Sequence, residues 1–135
     1  MSGTKTGAAA RPLSPHTQIW RWHITMASSI LHRATGSALY GGALILAGWV
    51  AALAAGAGPF GTYKAILGSL PGKVVLFGLT FSMFYHMANG VRHLVWDTGK
   101  GFDPKFANMT AAAAISFAVV LTVFVWVIAA LNGAL

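Results

Sequence analysis

His86, Gly90 and His93 stand at i, i+4 and i+7 in the stretch HMANGVRHLVWD. If the stretch is helical, that spacing puts all three on one face. Imidazole is a common axial ligand of haem iron, and a glycine beside it lets a flat ligand approach the backbone. Haem also carries two propionates, which call for cations or proton donors at a wetter level. His32, Arg33, Arg92 and His93 are side chains of that kind. The pattern fits a haem standing edge-up, its iron near His86 and its propionates toward the other four. The same pattern also serves a histidine that hydrogen-bonds a neighbouring helix and arginines that snorkel to lipid headgroups.

Ser29 and Arg33 form a second pair, at i and i+4, so they too share a helical face. A hydroxyl beside a guanidinium at a membrane boundary can hold a quinone carbonyl, and the permanent charge of arginine stabilises a negative quinone oxygen. Ser29 as the N-cap of a helix is the other reading. Asp97 and Asp103 are the only acidic residues. Asp97 can pair with Arg92, His93 or a partner chain, and either carboxylate can equally be a solvated loop group.

The elements that position these residues follow from composition. The chain has 135 residues, 56% hydrophobic and 8% charged, against about a quarter charged in soluble domains. Lipid is therefore the expected solvent, and the length allows one domain. A membrane core needs about 20 apolar residues per helix. Three stretches qualify, at about 29–55, 71–97 and 110–132. GAGPFGTY breaks the first from the second, and DTGKGFDPKF turns the second into the third. Residues 1–28 are a polar tail and a Pro-broken segment on the membrane surface; 29–135 form the transmembrane part. Small residues such as Gly36, Gly41, Gly42, Gly78 and Ala88 read as helix-packing positions.

Several classes are excluded or made remote. There is no cysteine, so this chain alone builds neither a disulfide nor an iron–sulfur cluster. The net charge of +7 comes from residues scattered at the ends of apolar stretches, not from the basic stripe of a nucleic-acid binder. The first 23 residues lack the apolar core of a secretory signal. Lys5, Arg11, Arg21, Arg33, Arg92, Lys100 and Lys105 fall on one side, Lys64 and Lys73 on the other. The positive-inside rule then sets the N-terminus in the cytoplasm, or the matrix of an organelle, and the C-terminus on the opposite face. Trp20, Trp22 and Trp96 fall near that basic boundary, as an aromatic belt does. His86 lies seven residues further into the membrane than His93, about 10 Å deeper.

RPLSPHTQIW at 11–20, SILHRATG at 29–36 and HMANGVRHLVWD at 86–97, in this order, resemble the cytochrome b subunit of succinate dehydrogenase, the membrane anchor of respiratory complex II. The resemblance covers most of the chain beyond the first ten residues. It implies three transmembrane helices packed with a second anchor subunit into a helical bundle. It implies that His86 is one axial ligand of haem b, the other coming from the companion anchor. It places Ser29 and Arg33 at the ubiquinone site, His32, Arg92 and His93 near the propionates, and Asp97 close to the quinone pocket and the iron–sulfur subunit. Flavoprotein and iron–sulfur partners would lie at the cytoplasmic or matrix face of a bacterial or mitochondrial inner membrane. Two departures stand out. Trp20 replaces a usual tyrosine, and His23 replaces a usual proline, so the path before the first span is left open; His16 and His23 receive no role. A quinol:fumarate reductase anchor and a haem-free structural anchor are the rival readings. A transporter is disfavoured by three spans without an inverted repeat.

Overall fold

The computed structural model describes residues 21–133. Lys5, Arg11, His16, Trp20 and most of the expected surface segment lie outside the described residues. Four helices follow one another: α1 (Ile24–Ala54), α2 (Ala57–Gly68), α3 (Leu70–Asp97) and α4 (Pro104–Leu131). No strand occurs among the described residues. α1 has 31 residues and α3 and α4 have 28 each, so each is about 42–46 Å long at 1.5 Å per residue. A hydrocarbon core is about 30 Å thick. All three are apolar and long enough to cross it, as the three stretches lead one to expect; α2, with 12 residues, is not.

The helix ends depart from the sequence reading for local reasons. α1 begins at Ile24, after an extended His23, so Ser29 is inside the helix and is not its N-cap. GAGPFGTY does break α1, at Gly56 with φ +103°, a value open to glycine. The chain then coils again at once. Pro59 falls in the first turn of α2, where a missing N–H costs no hydrogen bond. α4 begins at Pro104, ahead of the expected Thr110. Asp103 caps it, its Oδ1 accepting from Phe106 N–H at 3.0 Å, and a proline in the first helical position completes a strong start signal.

α3 is the central helix, packed on α1, α2 and α4. The buried residues of α4 are Ala107, Ala111, Ala114, Ala118 and Thr122. Small side chains at this spacing let two helix backbones approach closely, which in lipid is a main source of helix attraction. Tyr85 of α3 fills the space against Ala114 and Ala118. At the far end Trp126 Nε1 donates to Thr80 Oγ1 at 3.3 Å, and Tyr63 ties α2 to α1 by donating to Ile45 O at 2.7 Å. Large apolar side chains such as Tyr40, Leu44, Val74, Met83, Val120 and Phe124 are exposed, as befits surfaces that meet lipid or other subunits.

Candidate functional site

The first turns of α1, the last turns of α3 and the first turns of α4 gather at one end of the bundle. There the rings of three histidines form a pile. His32 lies between His86, whose ring centre is 4.0 Å away at 11°, and His93, at 4.9 Å and 19°. The close approach of α1 to α3 depends on Gly36, since a Cβ there would sit 3.0 Å from His86 Cε1.

The hydrogen bonds fix which ring nitrogens are free. His86 Nδ1 is 3.2 Å from His32 O. A carbonyl only accepts, so Nδ1 carries the proton and donates, and Nε2 keeps its lone pair. Nε2 of His86 has no hydrogen-bond partner among the described residues. His93 is held alike, its Nδ1 donating to Asn89 O at 2.7 Å. His32 Nδ1 is buried with no partner. A Cβ at Gly90 would meet nothing within 4 Å, so the α3 face that carries His86 and His93 is open there.

The remaining sequence-predicted residues divide. Ser29 and Arg33 are exposed on α1, and neither side chain has a hydrogen-bond partner among the described residues. Ser29 directly follows the buried Ser28 and Arg33 directly follows the half-buried His32, on the edge of α1 beside the histidines. Asp97 is exposed at the last residue of α3. Arg92 lies elsewhere. It is 7% exposed and turned toward α4, with Nε donating to Thr110 Oγ1 at 3.0 Å and Nη2 to Ala107 O at 3.0 Å. Nη1 donates to Asn89 Oδ1 at 3.2 Å and reaches Ser28 Oγ at 3.5 Å. The guanidinium also covers the Trp96 ring at 4.0 Å.

Sequence reasoning missed the polar partners of Arg92. Ser28, Tyr85 and Asn89 are each fully buried. Tyr85 Oη donates to Ser28 O at 2.7 Å, and Ser28 Oγ donates to Asn89 Oδ1 at 3.1 Å. With Arg92 and Thr110 they join α1, α3 and α4. A signal was available: Ser82, Tyr85, Asn89 and Arg92 repeat at helical spacing on one face of α3, and all four are buried. Replacing Asn89 with leucine is expected to cost about 1–3 kcal/mol, because Arg92 and Ser28 would keep buried donors without an acceptor. The check is a lowered thermal unfolding midpoint of the detergent-solubilised protein, with Asn108→Leu, on an exposed position of α4, as the control.

The model of the succinate dehydrogenase/fumarate reductase transmembrane subunit family matches residues 8–125. The chain belongs to this family. Among its relatives are succinate dehydrogenase cytochrome b556 subunits. That of Rickettsia felis is 37% identical over 117 residues, covering 87% of this chain and 91% of the relative. That of Paracoccus denitrificans is 34% identical over 118 residues, with the same two coverages of 87% and 91%. The mitochondrial succinate dehydrogenase cytochrome b560 subunit of Sus scrofa is 46% identical over 96 residues, 67% of this chain and 55% of the relative. The family match takes in all three motifs that carry the sequence resemblance, and the identification made from them stands. Family membership also accounts for the three long apolar helices: this is a transmembrane subunit of an oxidoreductase complex.

Proposed function

We propose that the chain is the haem-bearing membrane anchor of a succinate:ubiquinone oxidoreductase and forms part of its ubiquinone-reduction site. The observation that carries the reading is His86. Its Nδ1–H is committed to a backbone carbonyl, the arrangement that fixes a metal-binding histidine's tautomer and leaves Nε2 to the metal. It lies within an apolar span, where an ionisable group marks a functional site.

The residues present fit a haem b. His86 would supply one axial ligand and the companion anchor subunit the other, across the face left open at Gly90. His32, whose buried Nδ1 lacks a partner, and His93 would meet the propionates. Arg92 contributes there by its charge, since its donors are largely spent inside the bundle. When bound, the haem supplies a one-electron store. The chain's own side chains orient it: Thr35 and the His32 carbonyl hold the His86 ring, and His32 packs flat against it.

Ser29 and Arg33 would bind the quinone. Their side chains are exposed and make no hydrogen bond among the described residues, so a quinone carbonyl can receive the serine hydroxyl or the guanidinium donors. Asp97 would lie at the edge of that pocket and face the iron–sulfur subunit, which, with the flavoprotein, brings electrons from succinate. Seven basic residues against two favour the N-terminus and this site on the cytoplasmic or matrix side of a bacterial or mitochondrial inner membrane. The relatives' names favour the succinate dehydrogenase direction over fumarate reduction.

The test is a reduced-minus-oxidised optical spectrum of the purified complex containing this chain. A b-type band is expected. A complete complex without one would leave the haem-free anchor, with Ser29 and Arg33 as its remaining site.

A further inference from the structure

Arg92 is a buried cation with no carboxylate partner among the described residues. The chain has two carboxylates, and neither pairs with it: Asp103 caps α4, and Asp97 is exposed at the end of α3. The four groups that accept from the guanidinium, on Thr110, Ala107, Asn89 and Ser28, are all neutral. The Trp96 face at 4.0 Å offsets part of the charge. An unpaired charge removed from water is costly, and three helices commit polar groups to retaining this one. A neutral amide or hydroxyl could have tied α3 to α4 without that cost.

The charge is also directed. Asn89 Oδ1 accepts from Arg92 Nη1 at 3.2 Å, and Asn89 O accepts from His93 Nδ1 at 2.7 Å. His93 belongs to the same pile of rings as His86. Asn89 therefore bridges the cation to His93, and the buried guanidinium is screened less by water and salt than a surface charge would be.

We propose that Arg92 is a fixed internal charge that raises the reduction potential of the haem held by His86, acting through space and without touching it. The proposal rests on the haem reading above. Reduction adds an electron to the haem, so a nearby positive charge favours the reduced state. The hydrogen-bond cage keeps the guanidinium from snorkelling to the lipid surface, where its effect would be screened.

The experiment is a redox titration of the haem band in the purified complex, comparing wild type with four variants. Arg92→Gln removes the charge. The reduced-to-oxidised ratio at a fixed ambient potential is expected to fall about threefold to tenfold, the size of a unit charge acting over about one helix diameter; tenfold corresponds to about 59 mV for one electron. Arg92→Lys keeps the charge and should stay near wild type. Thr110→Asp leaves Arg92 in place and gives it a counter-ion 3.0 Å from where Nε now donates, so it should lower the ratio as Arg92→Gln does. Thr110→Val removes the same hydrogen bond without a charge and should leave the ratio unchanged. If Arg92→Gln fails to assemble, the two Thr110 variants decide the matter alone. An unmoved ratio in Thr110→Asp, or an equal fall in Thr110→Val, overturns the proposal and leaves Arg92 as a helix cross-link. A wild-type complex with no haem band would overturn the haem reading itself, a result that no Arg92 variant can mimic.

Discussion

Replacing His86 with alanine is expected to abolish the b-type band of the assembled complex, whereas His32→Ala and His93→Ala keep a band of altered position or potential. The His32 ring stacks on both His86 and His93, so the assignment of the ligand among the three is a sharp question. Depth and bonding both choose His86. Its backbone position on α3 is seven residues further from the helix end than that of His93, about 10 Å at the helical rise. Its Nε2 has no hydrogen-bond partner among the described residues, and its Nδ1 is anchored on the neighbouring helix. His93 also donates through Nδ1, but to its own helix, at the polar end of α3. His32 Nδ1 is buried without a partner among the described residues. If His86 is an axial ligand as proposed, its loss would remove the wild-type b-type spectrum even were a haem still held through the partner subunit. Absorbance of the reduced complex, with subunit content checked on a gel, reads the result. A normal band in His86→Ala together with its loss in His93→Ala would move the ligand two turns toward the surface and refute the present reading.

Much of this site was legible because it lies along single helices. The seven-residue interval between His86 and His93, and the four-residue interval between Ser29 and Arg33, needed only the helical repeat. Arg92 shows where a motif misleads. Read as an R-H pair, it stands with His93; on a helix adjacent residues are about 100° apart, and Arg92 turns to α4 while His93 faces α1. What could not be read were the partners across helices. Nothing in the spacing of Ser28, Asn89 and Thr110 says that they meet, because helix rotation and tilt are set by packing against neighbours. The starts of α1 and α4 precede the apolar stretches for a different reason. Hydropathy marks where lipid can lie, and α1 and α4 continue past it into polar residues, α4 because Asp103 and Pro104 form a start signal independent of hydrophobicity. Likewise the Gly- and Pro-rich GAGPFGTY marks an end of α1 correctly but does not forbid a new helix, since Pro59 is harmless in a first turn.

Arg33→Ala is expected to lower succinate:quinone reductase activity about tenfold to a hundredfold, with the haem band and the assembly of the complex unchanged. Loss of a hydrogen bond from a charged donor is worth about 1.5–3 kcal/mol, and that range converts to the stated factors. The side chain is exposed on α1 and makes no hydrogen bond among the described residues, so its removal breaks no described contact that holds the bundle. This separates it from Arg92, whose loss removes hydrogen bonds to Thr110, Ala107, Asn89 and Ser28 across three helices. Ser29→Ala, one turn away on the same edge, removes a neutral donor and should cost less, about threefold to tenfold. Arg33→Lys keeps the charge but not the planar fork, and should fall between wild type and Arg33→Ala. Electron transfer from succinate to a water-soluble dye, which bypasses the membrane site, should be the same in all three variants. If dye reduction falls in step with quinone reduction, the substitution has harmed the docking of the soluble subunits and Arg33 is not a quinone ligand. If quinone reduction is untouched while the haem band is lost, the roles given to Arg33 and to the histidines are reversed, and the exposed edge of α1 belongs to the haem.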